Sequence, residues 1–247
     1  MMLVIFLLQF CFFSTPSLSA DLPPYINICK KTEPDMSKCM VDSTDNLMPY
    51  LVRGIPELNY PPVDPLHCRN VSVTIGESSI KIEAHLANGV ITGLKDMKML
   101  DCHPNFDTGV IETKVIIPKM NLKADYNLKG KILLFDIDGE GITEFNSTNM
   151  IVIITQYGRY HTKEGAKYMK FDKTSIKVDA EDMSVNFSNL FRNNEAITQS
   201  INQAINDNIK TLKEELDILI AQTIETVVIG DYVAIYDMFP IDTLFPN

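Results

Sequence analysis

The fold is decided by residues Asn194–Ile229, which read NEAITQSINQAINDNIKTLKEELDILIAQTIETVVI. Apolar residues recur there in steps of three and four, the spacing that places side chains on one face of an α-helix. Asn193 or Asn194 can cap the start of this helix, and Gly230 can end it in the left-handed conformation. The pattern predicts one unbroken helix, roughly 50 Å long at about 1.5 Å per residue. Its apolar residues are Ile197, Ile201, Ala204, Ile205, Ile209, Leu212, Leu216, Leu219, Ile220, Ile224, Val227 and Val228.

Such a helix is far longer than the helices of about three turns that are usual in globular proteins. An ordinary compact core cannot bury so long an apolar face. Polar residues between the apolar positions, such as Asn202 and Asn206, are expected to face water. The apolar face therefore needs an equally long partner surface, which the rest of the chain must supply.

Residues 71–186 show the alternation of apolar and polar side chains that is typical of β-strands. Short segments of this kind, separated by turn residues, predict an antiparallel meander with hairpin turns at Asn88-Gly89 and Lys129-Gly130. A long sheet of this kind twists and curls, so that it can wrap around the helix.

The segment before the strands begins with a short helix, predicted over Asp35–Val52 from its apolar spacing. The stretch Tyr60–Leu66 is rich in proline and must be extended. Together with the strands and the long helix, these elements predict a mixed α+β protein.

The first 20 residues carry no charged side chain and contain an apolar run from Leu3 to Phe13. This run is too short to span a bilayer but fits a secretory signal peptide over residues 1–20, the alternative being a membrane anchor. No later apolar stretch is expected to approach the roughly 20 residues of a transmembrane helix. The mature chain is therefore predicted to be secreted, soluble and free of a stable membrane anchor. It would form one large domain or two small ones.

The formal charge of −10 excludes most nucleic-acid-binding proteins, because no basic cluster is available to neutralise phosphates. We therefore expect no nucleic-acid partner.

The chain has five cysteines, of which Cys11 lies in the predicted signal peptide. Four remain in the mature chain, and an even number in a secreted protein indicates two disulfides. Cys29 and Cys39 would close a short loop, and Cys68 and Cys102 would form the second pair.

A zinc site is the alternative for the second pair, since two Cys and two His side chains can form a tetrahedral site. The ligands would come from His67-Cys68 and Cys102-His103. Adjacent ligands lack the usual spacer, and an oxidising compartment favours the disulfide. No metal is expected.

The sequence Asp136–Gly141 resembles the start of a calcium loop, but loop position 12 is Ser147 where a bidentate Glu is needed. A hairpin turn is the preferred interpretation. Asn70, Asn146 and Asn186 each begin an N-glycosylation sequon.

The chain contains no nucleophile elbow, phosphate-binding glycine loop or His-Glu-x-x-His motif. Its four histidines are scattered along the sequence. We therefore predict no catalytic residues, no cofactor and no enzymatic activity.

Several motifs together resemble a takeout-like member of the insect juvenile hormone-binding protein superfamily, over nearly all of the mature chain. The N-terminal pair Cys29 and Cys39, which flanks a short acidic loop, resembles the family's N-terminal disulfide. The further motifs are Gly54-Ile55-Pro56-Glu57-Leu58, Pro61-Pro62-Val63-Asp64-Pro65-Leu66, Gly93-Leu94, Gly130-Lys131-Ile132-Leu133, Asn189-Leu190-Phe191 and Phe239-Pro240-Ile241-Asp242-Thr243-Leu244-Phe245.

The resemblance implies a single domain over residues 21–247 with an α/β-wrap of the tubular lipid-binding type. In this fold a strongly curved antiparallel sheet encloses a long helix and leaves an internal hydrophobic tunnel. Members of the family carry juvenile hormone or other small lipids. Takeout-like members are linked to circadian output, feeding, chemosensation and mating behaviour.

The resulting hypothesis is a secreted carrier for a small elongated hydrophobic ligand, such as a juvenile hormone-like terpenoid or a fatty acid. Tyr126, Tyr157, Tyr232 or a threonine could supply a polar contact. Each candidate wall residue could equally belong to an ordinary core. The candidate wall residues are Ile132, Leu134, Ile151, Ile153, Ile201, Ile205, Leu212 and Leu216.

Two other functions remain open at this point. One is an extracellular signalling or interaction protein whose tunnel is filled by side chains, with a protein partner that the sequence does not identify. The other is an enzyme that hydrolyses esters.

Overall fold

The computed structural model describes residues 22–77, 79–191 and 194–247. The predicted signal peptide, with Cys11, and the cap candidate Asn193 lie outside the described residues. The fold consists of a short N-terminal helix, a large antiparallel sheet and a helical C-terminal segment.

The N-terminal helix α1, Met36–Leu51, agrees with the prediction. Asp35 begins it, and its carboxylate accepts a hydrogen bond from the Lys38 amide at 2.9 Å. The predicted disulfide between Cys29 and Cys39 is confirmed and ties the preceding segment to the first turn of α1. The helix packs against the third strand of the sheet.

The sheet contains seven described strands with the order β1-β2-β4-β5-β6, while β3 pairs with β4 and β7 pairs with β5. All pairs are antiparallel. The strands are β1 Leu66–Glu77, β2 Ile80–Thr92, β3 Lys98–Asn105, β4 Val110–Ile132, β5 Phe135–Lys163, β6 Ala166–Asp179 and β7 Asp182–Phe187.

Strands β4 and β5 have 23 and 29 residues, several times the usual length. Each pairs with different neighbours along its two halves. β4 pairs with β3 over residues 110–116 and with β2 over residues 121–132. β5 pairs with β7 over residues 143–148 and with β6 over residues 151–163. Several segments that look separate in the sequence are therefore single strands.

Both predicted hairpin turns are wrong. Asn88 and Gly89 form a bulge inside β2, where the pairing with β4 shifts between Ala87 and Val90. Gly130 lies inside β4, and a Cβ atom there would be 2.0 Å from the Lys81 carbonyl oxygen. These residues permit strand distortion and close strand approach, which have the same sequence signature as a turn.

The hairpin that joins β4 to β5 lies instead at Leu133–Leu134, with Leu133 at a positive φ of 55°. The predicted turn at Asp136–Gly141 is also part of β5. Gly139 is needed there because the backbone at Leu190 passes close to β5. A Cβ atom on Gly139 would be 2.5 Å from the Leu190 carbonyl oxygen.

The predicted single helix over Asn194–Ile229 is broken at residues 208–212. It divides into α2, Glu195–Asp207, and α3, Lys213–Ile224. Asn194 caps α2 as predicted, accepting a hydrogen bond from the Ile197 amide at 3.1 Å. The break allows α2 to contact β7 while α3 contacts β1 and β6.

Gly230 does not end the helix as predicted. Its φ of −56° and ψ of −48° are those of a right-handed helix, so the left-handed stop is absent. A π-helical turn, Glu225–Ile229, continues α3 into α4, Gly230–Met238. The short helix α5, Ile241–Leu244, follows.

Helix α3 contacts β1 and β6, which stand at opposite ends of the strand order. A flat sheet could not bring both ends to one helix, so the sheet must be strongly curved around it. The predicted α+β fold, in which a long antiparallel sheet packs around the C-terminal helix, is confirmed.

The segment Lys213–Met238 is 26 residues long and apolar enough to cross a membrane by length and composition. The expectation that no later stretch approaches this length was wrong. In the fold, one face of α3 and of the π-helical turn is turned toward the concave side of the sheet. Only 6 % of the most apolar 18 residues of this segment is buried in the fold, and a single helix of this length and composition is weak evidence of a membrane span.

Cys68 and Cys102 are free and buried, so the predicted second disulfide is wrong. Cys68 lies in β1 opposite Gly89, whereas Cys102 lies in β3 opposite Thr113. The two strands pair with different neighbours. Among the described residues, no group of three or more His, Cys, Asp or Glu side chains could hold a metal ion.

Candidate functional site

An apolar cavity of about 160 Å³ lies between the concave side of the sheet and the C-terminal helix. Five strands and the helix contribute its walls. The lining residues are Val73, Ile82, Ala84, Leu86, Ile91, Met120, Leu122, Tyr126, Leu128, Thr143, Phe145, Val185, Phe187, Leu216, Leu219, Ile220, Thr223, Ile224, Val227 and Val228.

The lining follows from the two periodicities of the sequence. On β2 the residues Ile82, Ala84 and Leu86 are two apart, and successive side chains of a strand point to opposite faces. On the C-terminal helix the lining residues from Leu216 to Val228 recur in alternating steps of three and one, which keeps them on one face. The helix residues are only half-buried because they face a cavity instead of close-packed side chains.

The lining contains no charged side chain, and its hydroxyl groups belong to Tyr126, Thr143 and Thr223. The Tyr126 hydroxyl donates to the Ser188 carbonyl at 2.7 Å. Burial, with a smaller contribution from Glu140, raises the pKa of Tyr126 to about 12. Tyr126 therefore stays neutral at physiological pH, and the cavity as a whole is uncharged.

Strand β7, which supplies Val185 and Phe187 to the lining, is held by two asparagines of α2. Asn202 accepts from the Phe187 amide at 3.0 Å and donates to the Phe187 carbonyl at 2.8 Å. Asn206 does the same with Val185, at 3.0 Å and 2.7 Å. These side chains complete the hydrogen bonding of the β7 edge as a further strand would.

The spacing of the two asparagines matches the strand. Four residues of helix advance about 6 Å, and two residues of strand advance about 6.6 Å. The expectation that Asn202 and Asn206 face water was therefore wrong, and Asn202 is only 8 % exposed. Two asparagines at a spacing of four on one helix face were the signal in the sequence.

Of the eight predicted wall residues, Leu216 lies in the cavity lining. Four others are buried in the hydrophobic core that adjoins the cavity and do not line it, namely Ile132, Ile201, Ile205 and Leu212. They support the wall from behind.

The other three predicted wall residues are misplaced. Leu134 is at the β4–β5 hairpin and is 86 % exposed, because the chain reverses there. Ile151 and Ile153 alternate along β5 with the buried Met150 and Val152, so the prediction is one residue out of register.

The other polar candidates do not line the cavity. Tyr157 is exposed on β5. Tyr232 lies in a different core cluster, where its hydroxyl is 3.0 Å from that of Tyr236. The glycosylation candidates Asn70, Asn146 and Asn186 are all exposed, and their modification stays a prediction.

The comparisons with known proteins agree with this geometry. The family model for haemolymph juvenile hormone binding protein matches residues 5–246. No curated protein matches the sequence.

Among solved structures, Takeout 1 of Epiphyas postvittana is similar to this chain, with a TM-score of 0.76 and 19 % sequence identity. The match covers 90 % of this chain and 100 % of that one. A lipopolysaccharide binding protein has a TM-score of 0.33 and 10 % identity, over 80 % of this chain and 39 % of that one.

Proposed function

Because this chain belongs to the haemolymph juvenile hormone binding protein family, we propose that it is a secreted carrier for one small, neutral, hydrophobic ligand. The family consists of binding proteins for hydrophobic ligands and not of enzymes. The observation that carries the proposal is the cavity of about 160 Å³, which is lined by apolar residues and by no charged ones.

Burial of apolar surface supplies the affinity. A ligand with about ten buried methylene equivalents gains roughly 8 kcal/mol, which corresponds to a dissociation constant near micromolar before association costs. Apolar cavities of about this volume are known to stay dry and to accept apolar guests. The half-buried face of α3 and of the π-helical turn, which includes Leu219 and Val227, would become fully covered on binding.

Secretion is supported by separate features of the chain. The disulfide between Cys29 and Cys39 is of a kind that persists in oxidising compartments. Residues 1–20 have the composition of a signal peptide. The three sequons lie on the exposed surface, where glycosylation would be possible.

Extraction of the natively purified protein, followed by mass spectrometry, tests the carrier function. We expect a reproducible neutral lipid in about one-to-one proportion with the protein. Protein that yields no lipid, and that also fails to bind the neutral probe Nile red, would favour the signalling or interaction protein instead.

The uncharged lining predicts that neutral ligands bind much better than ionised ones. A carboxylate in the cavity would lose its hydration and gain no cationic partner, at a cost of several kcal/mol. Methyl octanoate should therefore displace Nile red at least tenfold more effectively than its isomer nonanoic acid at pH 7.5.

Lowering the pH supplies the control for this comparison. A carboxyl group with a pKa near the usual value of about 4.3 becomes neutral below that pH. The acid should then approach the ester in affinity, while the ester is unaffected. Equal binding of both compounds at pH 7.5 would show that a charged head group is accommodated.

A further inference from the structure

Thr143 is a deeply buried polar side chain of the cavity lining, with the same exposed fraction as Tyr126. It lies on β5 between Ala124 of β4 and Phe187 of β7 and is only 4 % exposed. Alternation along the strand places it on the same face as Phe145, which also lines the cavity. An apolar residue of the same shape would fit this position equally well.

The hydroxyl groups of the lining differ in their hydrogen bonding. The proton of Tyr126 goes to the Ser188 carbonyl, and that of Thr223 goes to the Leu219 carbonyl at 2.9 Å. The structure shows no hydrogen bond between the Thr143 hydroxyl and another described residue, and the side chain, which is 4 % exposed, borders the cavity. Buried hydroxyls in proteins are nearly always paired, either with protein groups or with ordered water. The Thr143 hydroxyl borders the cavity, so its proton is available to a polar atom of a bound ligand.

We propose that Thr143 determines the specificity of the cavity by donating a hydrogen bond to an acceptor oxygen on the ligand. The inference rests on the proposed carrier function. It predicts that, of two ligands of equal size, the one with an acceptor oxygen binds better than the pure hydrocarbon, and that Thr143 is the residue responsible.

An acceptor is favoured over a donor because of the lone pairs in the lining. The oxygens of Tyr126 and Thr223 donate their protons to the backbone but can still accept. A ligand donor would therefore find three acceptors. A ligand acceptor finds only one uncommitted side-chain proton among the described lining residues, that of Thr143, so it fixes the ligand in one position.

The test compares Thr143→Val with Thr223→Val, which also removes a lining hydroxyl but one already bonded within the helix. The ligands are methyl octanoate and undecane, which have the same number of non-hydrogen atoms and differ in the acceptor oxygens. Displacement of Nile red gives both affinities for each protein. Thermal unfolding of the ligand-free proteins gives their stability.

We expect Thr143→Val to weaken binding of methyl octanoate about fivefold, the usual effect of one hydrogen bond, and to leave undecane binding unchanged. The ligand-free variant should melt at the wild-type temperature or above, because valine has the shape of threonine and no hydrogen bond to another described residue is lost. Thr223→Val changes a lining residue and can shift both affinities, but it should shift them by the same factor, because the Thr223 proton is already bonded to the Leu219 carbonyl. It should not raise the melting temperature.

Equal loss of both ligands, or a lower melting temperature for Thr143→Val, would show a structural role for the hydroxyl and overturn the inference. A wild-type protein that binds neither ligand would instead overturn the proposed carrier function itself. The two failures are therefore distinguishable.

Discussion

Replacement of Ala84 by leucine is expected to lower the affinity for methyl octanoate about fiftyfold. Ala84 is buried on β2 and lines the cavity. A leucine side chain adds three carbons to a cavity of about 160 Å³ and excludes a similar volume of ligand. Three methylenes at about 0.8 kcal/mol each give roughly 2.4 kcal/mol, which corresponds to this factor. Displacement of Nile red measures the change.

Ala221→Leu is the matched control for this substitution. Ala221 lies on α3 but lines an open groove beside Ile176 and Ile218, away from the cavity. The affinity of the Ala221→Leu protein for methyl octanoate should equal that of the wild type. The Ala84→Leu protein should unfold at the wild-type temperature or above, because the new side chain fills empty space. A folded Ala84→Leu protein with undiminished affinity would place the ligand outside this cavity.

Replacement of Asn202 by alanine is expected to lower the free energy of unfolding by about 3 kcal/mol. The amide and carbonyl of Phe187 would both lose their partners at a site that is largely buried. Each unpaired buried group costs about 1–3 kcal/mol. Because Phe187 also lines the cavity, affinity for Nile red should fall with stability. Urea denaturation followed by circular dichroism measures the first effect.

Asn208→Ala is the control for Asn202. Asn208 is an exposed asparagine at the end of α2, and its side chain donates to the Ala204 carbonyl of its own helix at 2.8 Å. It bonds to no other element that the structure describes. Its loss should cost less than about 0.5 kcal/mol, as is usual for surface positions. Equal effects of the two substitutions would mean that the contact between α2 and β7 contributes little to stability.

Several elements could be predicted from the sequence because they depend on local periodicity. The alternation along β2 and the three-to-four spacing of α3 each predicted an element type and the face that borders the cavity. The cap at Asn194 was predicted for the same reason, since capping involves only the next few residues.

Turns and cysteine pairs were less predictable because the same residues serve different purposes. Gly130 has the appearance of a turn glycine but permits the close approach of β2 and β4. Cys68 and Cys102 were paired by elimination, although they lie on strands that are not neighbours. Which strands adjoin each other is a property of the whole sheet.

The sequence by itself determined which faces are apolar, because side-chain periodicity is a local property of the chain. Only the tertiary structure decided where the long helix breaks. It also decided that Asn202 binds a strand edge instead of facing water, since both features depend on the position of β7. It also decided that the helix face borders a cavity. The curvature of the sheet sets its distance from the helix, and that distance is not encoded in any short segment.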